Sequence, residues 1–122
     1  MSPLDPILSP PPPVPGEAPI DVEHLARMTL GDGALRREVL AMFLKQTSDL
    51  FRRLAQEPGG CAALAHTLKG SARAIGAFRV AACAEALERT LRRAGEAPQA
   101  VAELEAAVAE AHASIEVILA QP

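Results

Sequence analysis

Aromatic side chains are almost missing: the 122 residues hold no Trp, no Tyr and three Phe. Cysteine is equally sparse, and Cys61 and Cys83 are spaced neither as a metal-ligand pair nor as a disulfide framework. A reducing compartment is the default expectation for such a chain. No basic block occurs and the net charge is −3, which argues against nucleic acid as a partner, since that needs clustered Lys and Arg. No apolar run approaches the roughly 18 residues of a membrane-spanning helix, so no membrane partner is expected. The first residues, MSPLDPILSPPPPVP, carry no basic segment and too many prolines for a signal peptide. The length suits one domain and is too short for a nucleotide-binding catalytic domain beside anything else. A small, soluble, cytoplasmic domain is expected, and as a monomer.

Proline, by contrast, is plentiful and unevenly placed. Eight of the eleven fall within residues 1–19. Proline has no N–H and a fixed φ, so that segment reads as a disordered or polyproline II tail and residues 20–122 as the folded domain. The run Pro10-Pro11-Pro12-Pro13-Val14-Pro15 has the character of a docking peptide, although a solubilising arm is the plainer account.

Beyond the tail, Ala, Leu, Glu and Arg dominate, all strong helix formers. Asp21 is placed as an N-cap, with Ile20 and Leu25 as a hydrophobic staple across it. The punctuation predicts helices over about 21–30, 33–56, 61–75, 78–94 and 98–120, from the caps Asp21 and Asp32, the breaks Gly31, Pro58-Gly59-Gly60, Gly76 and Gly95, and Pro98 in a first turn. Apolar stripes support them: Leu35, Val39, Met42, Phe43, Leu50 and Leu54; Val80, Cys83 or Ala84, Leu87, Leu91 and Ala94; Val101, Leu104, Val108, Ala111, Ile115 and Ile118. No segment alternates with a period of two. The predicted fold class is all-α, an antiparallel four-helix bundle with a short extra N-terminal helix. The second helix carries an additional apolar line, Leu40, Leu44 and Phe51, to be covered by Leu25 and Met28 or left as a docking face.

The third helix, CAALAHTLKGSARAIGA, is the most informative. Leu64, Leu68 and Ile75 mark its buried stripe, which turns His66 outward, roughly 200° from Leu64. Lys69, Gly70 and Arg73 follow at helical spacings on the same face. A mid-helix glycine costs about 1 kcal/mol relative to alanine, and a side chain at position 70 would lean toward the N-terminus over His66. An imidazole with a free lone pair, a neighbouring ammonium and a cleared approach suit attack on an anionic electrophile such as a phosphoryl group. An ordinary surface His beside an ordinary surface Lys is the bland alternative.

At His66-Thr67-Leu68-Lys69-Gly70-Ser71-Ala72, followed by Ile75-Gly76-Ala77, the chain resembles the signature of histidine-containing phosphotransfer (HPt) domains. The likeness covers about a dozen positions in residue type; the rest of 21–120 matches only as a helix pattern, and the tail lies outside it. It implies that His66 accepts a phosphoryl group, through Nε2, that Lys69 steadies it and that Gly70 lets a receiver domain approach. It carries over Arg92 only weakly, as a basic residue near the site. It also implies partners: receiver domains of response regulators or hybrid histidine kinases, with the divalent metal on the receiver and neither cofactor nor metal held here. Histidine kinases fit worse, because Thr67 and Leu68 lack the acidic residue and proline turn of that family. A phosphocarrier without autokinase activity is therefore expected, with a non-catalytic helical adaptor as the alternative. Ala62, Ala63, Arg73 and Ala77 flank the His66 face as candidate partner-binding residues.

His24 and His112 lack ligand-spaced neighbours and read as packing residues. Cys61 opens a helix, where a thiol pKa can fall. Cys83 reads as core, and Arg52-Arg53 and Arg92-Arg93 as solvated faces.

Overall fold

In a computed structural model, residues 18–95 and 97–121 are described. The predicted tail, except for residues 18 and 19, lies outside them. The described residues form five α-helices and one short 3-10 turn: α1 Val22–Met28, α2 Gly33–Gln56, the turn Pro58–Gly60, α3 Ala62–Ile75, α4 Phe78–Arg92 and α5 Pro98–Ala120. All five expected helices are present.

Local chemistry accounts for their starts. The Asp21 carboxylate accepts from His24 N–H at 3.0 Å, and the Asp32 carboxylate accepts from Ala34 and Leu35 N–H at 2.9 and 3.1 Å, so orphan amides at both N-termini are satisfied. Ile20 and Leu25 are both buried, as the staple requires. Pro98 occupies the first turn of α5, where its missing N–H costs nothing.

Three helices end in the same hydrogen-bond pattern: α3 stops at Gly76 in the left-handed form expected there, whereas α1 and α4 end two residues before their expected ends. At α3, Gly76 takes φ +84°, its N–H donates to Arg73 O and the Ala77 N–H donates to Ala72 O. At α1 both Leu30 (φ 56°) and Gly31 (φ 72°) are left-handed, at α4 Ala94 (φ 54°); Gly31 and Gly95 supply the next N–H, to Ala26 O and Thr90 O. Ala94 is thus outside α4 and exposed, not part of its stripe.

The core is built mainly from Leu, Ile, Val and Ala, with Phe43 its one fully buried aromatic among the described residues. On α2 the buried line is Leu40, Phe43, Thr47, Leu50 and Leu54. Met42, expected inside, is 57% exposed, and Leu40 takes the core position. Thr47 broke the apolar pattern; its hydroxyl donates to Leu44 O at 2.9 Å and meets His112 Nε2 of α5 at 3.0 Å, which makes its burial affordable. Leu44 and Phe51 are half-buried, Leu25 is covered and Met28 is exposed. On α3 the buried line is Ala65, Leu68, Ala72 and Ile75, and Leu64 is only half-buried.

The α3–α4 pair is the most extensively packed, followed by α4–α5 and α2–α3. Ala65, Ala72, Ala81 and Ala84 are all buried on these two helices. Small side chains let helix axes approach closely, so polar groups beside the seam can meet across it. The α1 helix closes the far end of α3: Asp21 N–H donates to Gly76 O at 2.9 Å, and His24 Nε2 lies 3.0 Å from Arg73 O, one of the terminal carbonyls of α3.

Candidate functional site

His66 projects from the middle of α3 with its side chain 61% exposed. Across the seam stands Glu88 of α4, a residue the sequence reading missed. Its carboxylate is only 11% exposed and takes three partners: His66 Nδ1 at 3.0 and 3.2 Å, Lys69 Nζ at 3.2 Å and Arg92 Nε at 3.0 Å. Burial pushes this carboxyl up, but the hydrogen bonds from Arg92, Lys69 and His66 outweigh burial and hold it at about 2. At neutral pH Glu88 is therefore ionised and can only accept. The proton on the facing imidazole must then sit on Nδ1, which leaves the lone pair of the neutral ring on Nε2.

Two signals in the sequence pointed toward Glu88. Ala81, Ala84 and Glu88 follow at spacings of three and four along the buried side of α4, and Arg92 lies one turn on. Neither signal says that His66 is opposite, because that depends on how α3 and α4 pack.

Lys69 needs correction. It was expected on the open face with His66, yet its side chain is 15% exposed and its ammonium is drawn to Glu88. Gly70 is exposed, and a Cβ built there would meet nothing within 4 Å outside its own turn. Packing within the described chain therefore gives no reason for a glycine at this position. Arg92 is not merely solvated: its Nε is engaged by Glu88, while the side chain remains more than half exposed.

Of the flanking residues, Ala63 and Arg73 are exposed and Ala62 is half-buried. Ala77 is corrected: it is fully buried, because its N–H closes the α3 C-terminal turn and the residue is drawn into the core. Cys61 is corrected too. It precedes α3, but the thiol is buried and donates to Glu57 O at 3.4 Å, and burial raises its pKa rather than lowering it. Cys83 is half-buried, with its thiol also raised by burial. His24 and His112 are occupied by Arg73 O and Thr47, apart from the site. Among the described residues no helix is long and apolar enough to cross a membrane.

The helices thus present an exposed imidazole hydrogen-bonded to a carboxylate, with an ammonium on the same carboxylate. The Hpt domain family model matches residues 38–119, which include the whole of this constellation, and the chain belongs to that family. The family works in phosphotransfer of two-component signalling. No curated protein and no solved structure matches the chain.

Proposed function

We propose that His66 is a phosphoryl acceptor and donor, which relays the group between aspartates of receiver domains, or from a kinase to a response regulator. The observation that carries this reading is the contact between His66 Nδ1 and Glu88, which leaves Nε2 as the nucleophilic nitrogen on the solvent side. Nε2 attacks the phosphorus of a receiver acyl phosphate; the N–P bond forms, the P–O bond to the aspartyl carboxylate breaks, and that carboxylate leaves with the electron pair. The Nδ1 proton stays in place throughout. The phosphorylated ring is then cationic, and the Glu88 carboxylate balances it. Because a cationic ring is a good leaving group, the same contact favours onward transfer to a second aspartate.

Lys69 stands one turn from His66 and offers a charge to the phosphoryl oxygens. Gly70 keeps the approach to Nε2 low for a partner the size of a domain, and Arg92 is a further cation beside Glu88. Ala62, Ala63 and Arg73 belong to the contact rim. The divalent cation that assists transfer is expected on the receiver, and no cofactor is assigned to this chain. The short connections between α2, α3, α4 and α5 support an antiparallel arrangement of the four longer helices.

The test is incubation with phosphorylated receiver domains and with phosphoramidate, followed by detection of acid-labile, base-stable label. His66→Gln is expected to abolish label and to leave the protein folded, because Glu88 keeps its hydrogen bonds from Lys69 and Arg92. Label that persists in this variant overturns the assignment. No label on the unaltered protein with any donor leaves the non-catalytic adaptor.

A further inference from the structure

Glu85 lies one turn before Glu88 on the same side of α4, but it holds its cations differently. Its carboxylate is 4.0 Å from Lys69 Nζ, 3.9 Å from Arg73 Nη2 and 3.9 Å from Arg89 Nη1, and it makes no side-chain hydrogen bond among the described residues. Glu88, by contrast, takes three hydrogen bonds at 3.0–3.2 Å. Arg73 and Arg89 are both mainly exposed, and among the described residues neither has another carboxylate within 4 Å. Lys69, Arg73, Arg89 and Arg92 thus surround two carboxylates beside His66, a cationic patch on a chain whose net charge is −3.

We propose that Arg73 and Arg89 are the docking contacts for carboxylates on the rim of the phosphoryl-bearing partner, and that Glu85 competes with those carboxylates from within the chain. The inference rests on the phosphocarrier reading and adds its partner chemistry and a specificity residue. Contacts of 3.9–4.0 Å without a hydrogen bond hold a guanidinium weakly, whereas an incoming carboxylate can take it bidentately. Glu85 is 41% exposed, so it can swing into water when displaced. A partner must therefore bring enough well-placed negative charge to replace it. A neutral or basic surface gains nothing from the exchange, and the device discriminates among partners by a competing element as well as an attractive one.

The experiment measures transfer from a panel of receiver domains carrying acyl phosphate, at low ionic strength and near 1 M salt, with phosphoramidate labelling of His66 in parallel. Glu85→Gln is expected to lower the KM of the fastest receiver about threefold at low ionic strength with kcat little changed, since rim charges act chiefly on encounter. That gain is expected to vanish near 1 M salt, where the screening length is about 3 Å, and to be absent when Glu85→Gln is combined with Arg73→Gln and Arg89→Gln. An unchanged or raised KM overturns the proposal, as does a gain that survives salt or the loss of both arginines. A matching acceleration of phosphoramidate labelling also overturns it, because Glu85 would then act on His66 itself. Failure of the phosphocarrier reading looks different: the unaltered protein takes no label from any donor.

Discussion

His66 and Glu88 make a single chemical unit although they lie on different helices, and the unit is sensitive to acid. The Glu88 carboxyl is held at about 2 against an ordinary value of 4.5. A group whose pKa is lower folded than unfolded contributes stability that is fully present above the unfolded value and is lost as pH falls toward the folded one. Acid melts between pH 4.5 and about 2 are therefore expected to show a steeper loss for the unaltered protein than for Glu88→Gln, which has no proton to take up. In Glu88→Ala, which offers no acceptor, the neutral His66 ring should no longer be held in its Nδ1–H form, a change that nitrogen chemical shifts report directly; an unaltered tautomer would detach Glu88 from the orientation of the ring. Gly70 makes the complementary case. Since a Cβ there meets nothing, Gly70→Ala should stabilise the fold by about 0.5–1 kcal/mol. Transfer from a receiver domain should nevertheless slow, and slow further with Gly70→Gln, while labelling by phosphoramidate suffers less. Equal receiver rates for Gly70→Gln and the unaltered protein would end the steric account.

The helix ends store strain where a residue other than glycine takes the left-handed conformation. Leu30 and Ala94 sit at φ 56° and 54°, in the left-handed region that costs a side-chain-bearing residue roughly 1–2 kcal/mol. Both are exposed, so removing their side chains sacrifices little packing. Leu30→Gly and Ala94→Gly are each expected to raise stability by up to about 1 kcal/mol in urea melts. Gly76 has the opposite expectation. At φ +84° its added Cβ would also lie 2.7 Å from the Asp21 carbonyl oxygen. Gly76→Ala should therefore destabilise by more than about 1 kcal/mol and expose α1 amides to hydrogen exchange, since α1 docks through that contact. The predicted stops at Gly31 and Gly95 came close because glycine composition marks a turn. The helices themselves end two residues earlier, because the hydrogen-bond pattern, not composition, places the closing turn.

At the scale of the molecule, the site depends on one seam of the bundle. Leu104 is fully buried on α5, a helix that carries none of His66, Lys69, Glu88 and Arg92. Leu104→Ala is expected to cost about 2–5 kcal/mol through the cavity it leaves, while phosphoramidate labelling of His66 well below the melting temperature stays near that of the unaltered protein. A parallel loss of labelling would show that α5 helps to hold the seam. The sequence alone determined the helix content, the caps Asp21 and Asp32, the outward direction of His66 and the family signature around it. All of these follow from neighbours within a few residues, where a 3.6-residue period and cap chemistry operate. Only the tertiary structure decided that Leu40 rather than Met42 enters the core, that Thr47 is buried beside His112, that Ala77 is covered, and that Glu88 faces both His66 and Lys69. A periodic stripe defines a face wide enough to hold two candidate lines. The packing of the opposite helix chooses between them, and a contact across 22 residues of chain arises only from that packing.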